Sequence, residues 1–345
     1  MSMTTNAAEA SRWSRIWDSN MAYSFRRNPV AVVSLAIFAF ITVMSLLAPL
    51  IAPFDPYDPA QIDIMNSEYP PVWVDGSDPQ FMFGTDDQGR DLWSTILYGT
   101  RLSLLIGLCA VALQAFLGIS IGLIAGYVGG RLDSLLMRMA DIQLSFSTLM
   151  VAIIFLAVTQ AMFGSETFNQ YAIYFLIAVI GVAEWPQYAR TVRGSTMVER
   201  RKEYIEAART LGTGKVAIMM KHILPNVLGP VLVIATINLG MAVLTEATLS
   251  FLGVGMPPTQ PSLGTLIRIG NEYLFSGIWW VVIFPSVVLV VLVVEVVEVV
   301  LVVDVVLVVE VVEVDVVDDV VEVVLVVDVV EVEVVVVVGG PHSAL

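Results

Sequence analysis

Residues 204–226 read "YIEAARTLGTGKVAIMMKHILPN". The stretch is charged, carries Gly212 and Gly214, and lies between apolar runs at 171–189 and 227–250. Runs of about 20 mostly apolar residues are long enough to cross a bilayer. The segment between them is therefore a loop at a membrane surface. Its local pattern predicts helix, sharp turn, helix. Thr196 followed by Glu199 has the spacing of a capping box, which would open the first helix. Good helix formers continue to Leu211. Gly212 suits the left-handed residue just past a helix end. A second short helix can run from Lys215 to Leu224, and Pro225 fits the first turn of the span that follows.

The rest of the chain agrees with a membrane class. Of 345 residues, 57% are hydrophobic and 14% charged, against roughly 45–50% apolar and 25% charged in soluble domains. The expectation is an all-α integral membrane protein with six transmembrane helices, near 30–52, 102–126, 138–162, 171–189, 227–250 and 279–294. About 28 polar residues precede the first run, which is not the short basic start of a cleavable signal. It reads as a retained first span.

Charge orients the spans, because Lys and Arg concentrate in cytoplasmic loops. Arg12, Arg15, Arg26 and Arg27 lie in the first 29 residues. Arg131 and Arg138 follow the second span, and Arg190, Arg193, Arg200, Arg201, Lys202, Arg209, Lys215 and Lys221 follow the fourth. The alternate loops are poor in basic residues; 53–100 has Arg90 among nine acids. The alternation predicts both termini in the cytoplasm, with segment 204–226 on the cytoplasmic side. The net charge of −15 is misleading, since residues 287–338 use only Val, Leu, Asp and Glu and hold 12 of the 32 acids.

The chain thus divides into a cytoplasmic segment 1–29, a first transmembrane helix 30–52, an extracytoplasmic loop 53–100, a core 101–294 with five transmembrane helices and a loop at 193–225, and a tail 295–345. Loop 53–100 should be at least partly ordered, because Tyr57, Tyr69, Trp73, Phe81 and Phe83 need burial. The tail repeats Val-Val-acid and Val-Val-Leu triplets. A period of three matches neither a helix face nor a strand face, so no fold follows from it.

Several chemistries are excluded. "GTGKV" at 212–216 lacks the first glycine of a phosphate loop, has Val216 where Ser or Thr is needed, and follows no strand. His222 and His342 are too far apart for a metal cluster or a catalytic triad. No basic stripe with interleaved aromatics suggests nucleic acid. The one cysteine, Cys109, lies in an apolar run and reads as a buried inert thiol. No cofactor is expected. Glu184, beside Pro186, is placed near the cytoplasmic end of span four. An acid inside a membrane is by default a functional candidate, though structural pairing is the simpler reading here, and Pro186 should kink the helix. Glu246, near the outer end of span five, is exposed at the membrane edge or touches a translocated substrate. Asp133, Arg138 and Asp141 flank the second cytoplasmic turn as solvated ends or salt-bridge partners.

Tyr204, Ala207, Ala208 and Leu211 fall at i, i+3, i+4 and i+7, one helical stripe. Flat alanines with charged neighbours suit a helix that docks into a groove of a cytoplasmic partner. They suit equally an amphipathic helix lying on lipid headgroups.

A resemblance separates the two. "EAARTLG", Glu206 to Gly212, followed after nine residues by "HILP", His222 to Pro225, resembles the EAA loop of ABC-importer permeases. Glu206, Ala207, Ala208, Gly212, Leu224 and Pro225 match that pattern, and His222 stands where it has Ile. "FGTDDQGRDLWSTILYGTRLSLLIG" (83–107) and "EATLSFLGVGMPPTQPSLGTLI" (246–267) are similar to segments of the dipeptide, oligopeptide and nickel permeases, in particular their second, C-type subunit. The resemblance implies a type I, MetI-like permease core in a bacterial or archaeal cell membrane. It implies a homologous second permease, two ABC ATPase subunits that hydrolyse the ATP, and an extracytoplasmic solute-binding protein as partners. It also implies alternating access, with Tyr204, Glu206, Ala207, Ala208, Leu211, Gly212, Leu224 and Pro225 as the ATPase-coupling residues and Glu246 on the translocation path. Span six and the tail depart from that family, whose members end in a short basic segment. The alternative from another class is an ion-gradient-driven secondary transporter, which would need a midplane charged site.

Overall fold

The computed structural model describes residues 29–298. Residues 1–28 of the N-terminal segment and 299–345 of the Val/acid tail lie outside the described residues. The chain divides into a unit of residues 33–300 and a second of 1–32 and 301–345, of which only 29–32 are described.

The described residues are mainly helical, with non-helical stretches at 53–91 and 252–262 and short connections elsewhere. Helix α1 is Pro29–Leu46 and α2 Ala48–Ile51, followed by loop 53–91 with one 3-10 turn at Ile64–Asn66. Then come α3 Leu92–Val128, α4 Gly130–Leu144, α5 Thr148–Phe163, α6 Ser165–Ala183, α7 Trp185–Glu199 and α8 Glu203–Thr210. Helix α9 is Lys215–Ile218, α10 Leu224–Phe251, α11 Leu263–Tyr273 and α12 Trp280–Glu298.

Four of these stretches are long and apolar enough to span a membrane: α3, α6, Lys215–Phe251 and α12. Helices α4 and α5, expected as one span at 138–162, meet at 85° and make a fifth if counted together. The apolar helix at Val32–Leu46 is shorter. Expected span four is also divided. Ala183 ends α6, and Pro186 lies in the first turn of α7 after a break at Glu184. The proline therefore starts a helix instead of kinking one, consistent with its missing N–H.

Helix α3 is the axis. Gly118, Gly122 and Gly126, one turn apart, let α7 approach its backbone. A Cβ on Gly118 would lie 2.7 Å from the Trp185 carbonyl oxygen, one on Gly122 2.6 Å from that of Ala189, and one on Gly126 2.8 Å from that of Arg193. Stripes of small residues are how helices pack closely where lipid gives no hydrophobic drive. Two ion pairs clamp α4 onto α7. Arg193 grips Asp133 through two bonds of 2.5 and 2.7 Å, and Arg190 reaches Asp141 at 2.5 Å. Arg200 caps α3 by donating to the Gly126 and Tyr127 carbonyls.

Loop 53–91 is tied to the bundle. Asp86 and Arg90 form an ion pair buried on both sides, and Arg90 also donates to the Pro258 carbonyl at 2.9 Å. Trp280 Nε1 donates to the Thr85 carbonyl. Phe81 is buried, and Phe83 stacks among Trp73, Trp93 and Phe284. Trp73 itself remains 56% exposed, against expectation, because its ring contacts are edge-on at the rim. Cys109 is likewise exposed and not buried. An apolar run sets which residues tolerate lipid, not which side of a helix meets a neighbour.

Candidate functional site

Segment 199–226 is welded to the ends of two long helices. The expected capping box is not formed. Thr196 is buried in the last turn of α7 and Glu199 closes that helix. Close packing of α7 on Gly126 carries the helix through this point, so the Thr-x-x-Glu spacing marks its end. Glu199 becomes a hub instead. It accepts from Tyr204 Oη on α8, from Asn226 Nδ2 at 2.8 Å on α10, and from Lys202 Nζ at 3.0 Å. Asn226 Nδ2 also lies 2.8 Å from Tyr204 Oη and 3.0 Å from the His222 carbonyl. Burial pulls the Glu199 carboxyl upward, but the hydrogen bonds from Tyr204, Lys202 and Asn226 and the Lys202 charge outweigh it, and its pKa falls below the ordinary value. Asn226 had no signal in the sequence beyond being polar near a span, and the capping-box spacing that marked Glu199 pointed to a different role.

Helix α8 ends as the glycine foretold. Gly212 has φ +79°. Its N–H bonds to the Arg209 carbonyl and that of Thr213 to the Ala208 carbonyl, both at 3.0 Å. These are the two bonds of a Schellman motif. The chain then re-enters helix at Lys215 and passes through a π-helical turn, Met219–Ile223, directly into α10. Pro225 sits in the first turn of α10, as expected.

The faces of α8 differ from the predicted stripe. Ile205 and Ala208 point inward, into a cluster with Leu123, Tyr127, Val192, Ile218, Ile223 and Val227. Tyr204, Glu206, Ala207 and Leu211 face outward, Leu211 at 85% exposure. Ala208 therefore belongs to the inner face. The two alanines of this 8-residue helix fit either side, and Ile205 decides which. Leu224 is half-buried beside the same cluster and Pro225 is exposed. Arg209 lies over the Tyr127 ring, 5.3 Å from its centre, so the outer end of α8 also rests on α3.

Glu184 lies at the break between α6 and α7, directly after the apolar stretch Ser165–Ala183. Gln114 Nε2 donates to the Ile180 carbonyl, and Gly118 faces Trp185. Residues 180–185 thus run beside 114–118, at the centre of the apolar run 102–126. Asn238, central in 227–250, lines the same cleft as Gln114 and Glu184. Among the described residues Glu184 has no cationic partner. It accepts from Thr148 Oγ1 and Gln187 Nε2, each at 2.8 Å, while Arg190 is taken by Asp141.

Glu246 is fully buried, not exposed at the membrane edge. Its carboxylate accepts from Ser103 Oγ on α3 and Ser250 Oγ, both at 2.7 Å. Ser250 Oγ in turn accepts from the Met256 N–H at 3.0 Å. The acid is enclosed between helices of this chain. No group of three or more His, Cys, Asp or Glu that could hold a metal occurs among the described residues.

Comparison with known proteins points one way. Residues 118–301 match the family described as binding-protein-dependent transport system inner membrane component, and residues 11–71 the N-terminal TM domain of oligopeptide transport permease C. The dipeptide transport system permease protein DppC of Haemophilus influenzae is 35% identical over 77% of this chain and 86% of its own length. The oligopeptide transport system permease protein OppC of Bacillus subtilis is 33% identical over 81% and 87%. Among solved structures, a chain of the inward-facing MetNI methionine ABC transporter is 22% identical, with a TM-score of 0.48 over 61% of this chain and 96% of that one.

Proposed function

The chain belongs to the binding-protein-dependent inner membrane components, as a C-type permease of the peptide class of ABC transporters, and on that premise we propose that it forms half of an ATP-driven path for di- or oligopeptides. In this reading it is a six-span, MetI-like core with both termini in the cytoplasm. It pairs with a homologous second permease and two ABC ATPase subunits that carry the hydrolysis, and it receives cargo from an extracytoplasmic binding protein. Nickel or a related small solute is the neighbouring cargo class.

Helix α8 is the coupling helix. The outward residues Tyr204, Glu206, Ala207 and Leu211 meet the ATPase, while Gly212, Leu224 and Pro225 set the turn and the return into α10. The observation that carries this is the Glu199 hub. A docking helix can transmit motion only if it is rigidly joined to the spans. Glu199, Tyr204 and Asn226 tie α7, α8 and α10 together through side-chain bonds. A push on α8 then moves α7, and with it α3 and α4, as a body. Rigid-body movement of this kind is a common form of switching between two openings.

The test is uptake into vesicles holding this chain with its genomic neighbours. A labelled dipeptide should enter only with ATP on the ATPase side, and collapse of ion gradients by ionophores should leave the rate unchanged. Uptake that survives without ATP and stops with ionophore would transfer the chain to the gradient-driven class, for which the half-buried Glu184 would be the natural site.

A further inference from the structure

The bundle holds a cleft of about 370 Å³ at the depth of Gln114, Glu184 and Asn238. That volume falls in the range of small-molecule sites, roughly 300–1,000 Å³. Its polar wall is built largely where helices break, from Thr148 at the α4–α5 bend and Glu184 and Gln187 at the α6–α7 break, with Thr245 added from within α10. We propose that this cleft is a cargo-contact site, in which Glu184 takes the terminal ammonium of a peptide in transit. The inference rests on the peptide-cargo reading above.

Three observations carry it. First, Glu184 is half-buried at the α6–α7 break, beside Gln114 of α3, and has no ion pair among the described residues. A half-buried carboxylate is costly without a cation, and the basic side chain nearest in sequence, Arg190, is held by Asp141. Second, its two hydrogen bonds orient the carboxylate without neutralising it. Thr148 and Gln187 bind one oxygen each, and a carboxylate has about four acceptor positions. Third, the buried amide oxygen of Gln114, on the same wall, lacks a partner, and it can accept from a peptide N–H. A side-chain rotation into the cleft would bring the two together. Serine, threonine and amide groups elsewhere on the wall would accept any side chain, as a path that passes many sequences requires.

The test uses the assembled transporter in nanodiscs without binding protein, so that only the membrane subunits select. Two probes are compared: a dipeptide carrying a photoreactive benzoylphenylalanine, with a free amine or N-acetylated. ATP-driven uptake of an ordinary dipeptide by the same preparation with its binding protein is measured in parallel. The free-amine probe should label this chain about tenfold more than the acetylated one, the discrimination a single charge-assisted contact supports. Glu184→Gln should abolish that preference and Glu184→Asp should retain much of it. Equal labelling of the wild type by both probes, with uptake intact, overturns the assignment while leaving peptide cargo standing. A Glu184→Gln protein that keeps the preference also overturns it. A wild type that imports no peptide removes the cargo reading and this inference together. The wild-type comparison decides even if a variant fails to assemble.

Discussion

Gly212 gives the sharpest prediction, because its demand is conformational and not spatial. A Cβ there would meet no atom within 4 Å, yet φ is +79°. Left-handed backbone costs a residue with a side chain roughly 1–2 kcal/mol, with asparagine the usual exception and β-branched residues the worst case. That corresponds to roughly a 5–30-fold change in the population of the turn. The bond most exposed to this change is Thr213 N–H to the Ala208 carbonyl. Amide exchange at Thr213, measured in the assembled transporter, should therefore speed up in the order Gly, Asn, Ala, Val. About tenfold is expected for Gly212→Ala and more for Gly212→Val, with ATP-dependent uptake falling in the same order. The telling pair is Asn against Ala. Asparagine is the larger residue and should be the milder substitution. If Gly212→Ala proves harmless and Gly212→Asn does the damage, size governs the position and the left-handed argument is refuted.

Two further predictions concern the joints. Gly122→Leu puts a side chain where a Cβ alone would lie 2.6 Å from the Ala189 carbonyl oxygen. Overpacking of this kind costs about 1–3 kcal/mol or more, and the variant should lose thermal stability in detergent and separate α7 from α3, whereas Gly194→Ala, with open space around it, should change neither. The Glu199 hub should be acid-sensitive. Its folded pKa is depressed, so its contribution is present above the ordinary carboxyl value, about 4.3, and is lost as pH falls through the lower folded value. Proteolysis or amide exchange across α8 should accelerate below about pH 4, and Glu199→Gln, already lacking the charge, should show a flatter profile; identical profiles would remove Glu199 as the cause.

Local signals in the sequence were reliable where the backbone itself makes the demand. Gly212 and Pro225 announced the turn and the helix start because few residues suit a left-handed end or a missing donor. Membrane class followed from the length of the apolar runs. What the sequence hid depends on distant partners. Thr196 and Glu199 have capping-box spacing, but Gly126, 70 positions earlier, holds α7 helical through Thr196. Ile205 sets the buried face of α8 only because Tyr127 and Ile218 arrive beside it. Glu246 looked like an edge residue because its partner Ser103 is 143 residues away.

The central claim is that the outer face of α8 meets an ATPase and not lipid. The most direct measurement places a photoreactive crosslinker at Leu211 in this chain, co-expressed with its genomic neighbours and irradiated in native membranes. The account predicts a covalent adduct with an ATPase subunit, whose yield falls when Gly212 is changed to Val. Adducts with lipid alone, in a preparation that still imports peptide with ATP, would contradict it.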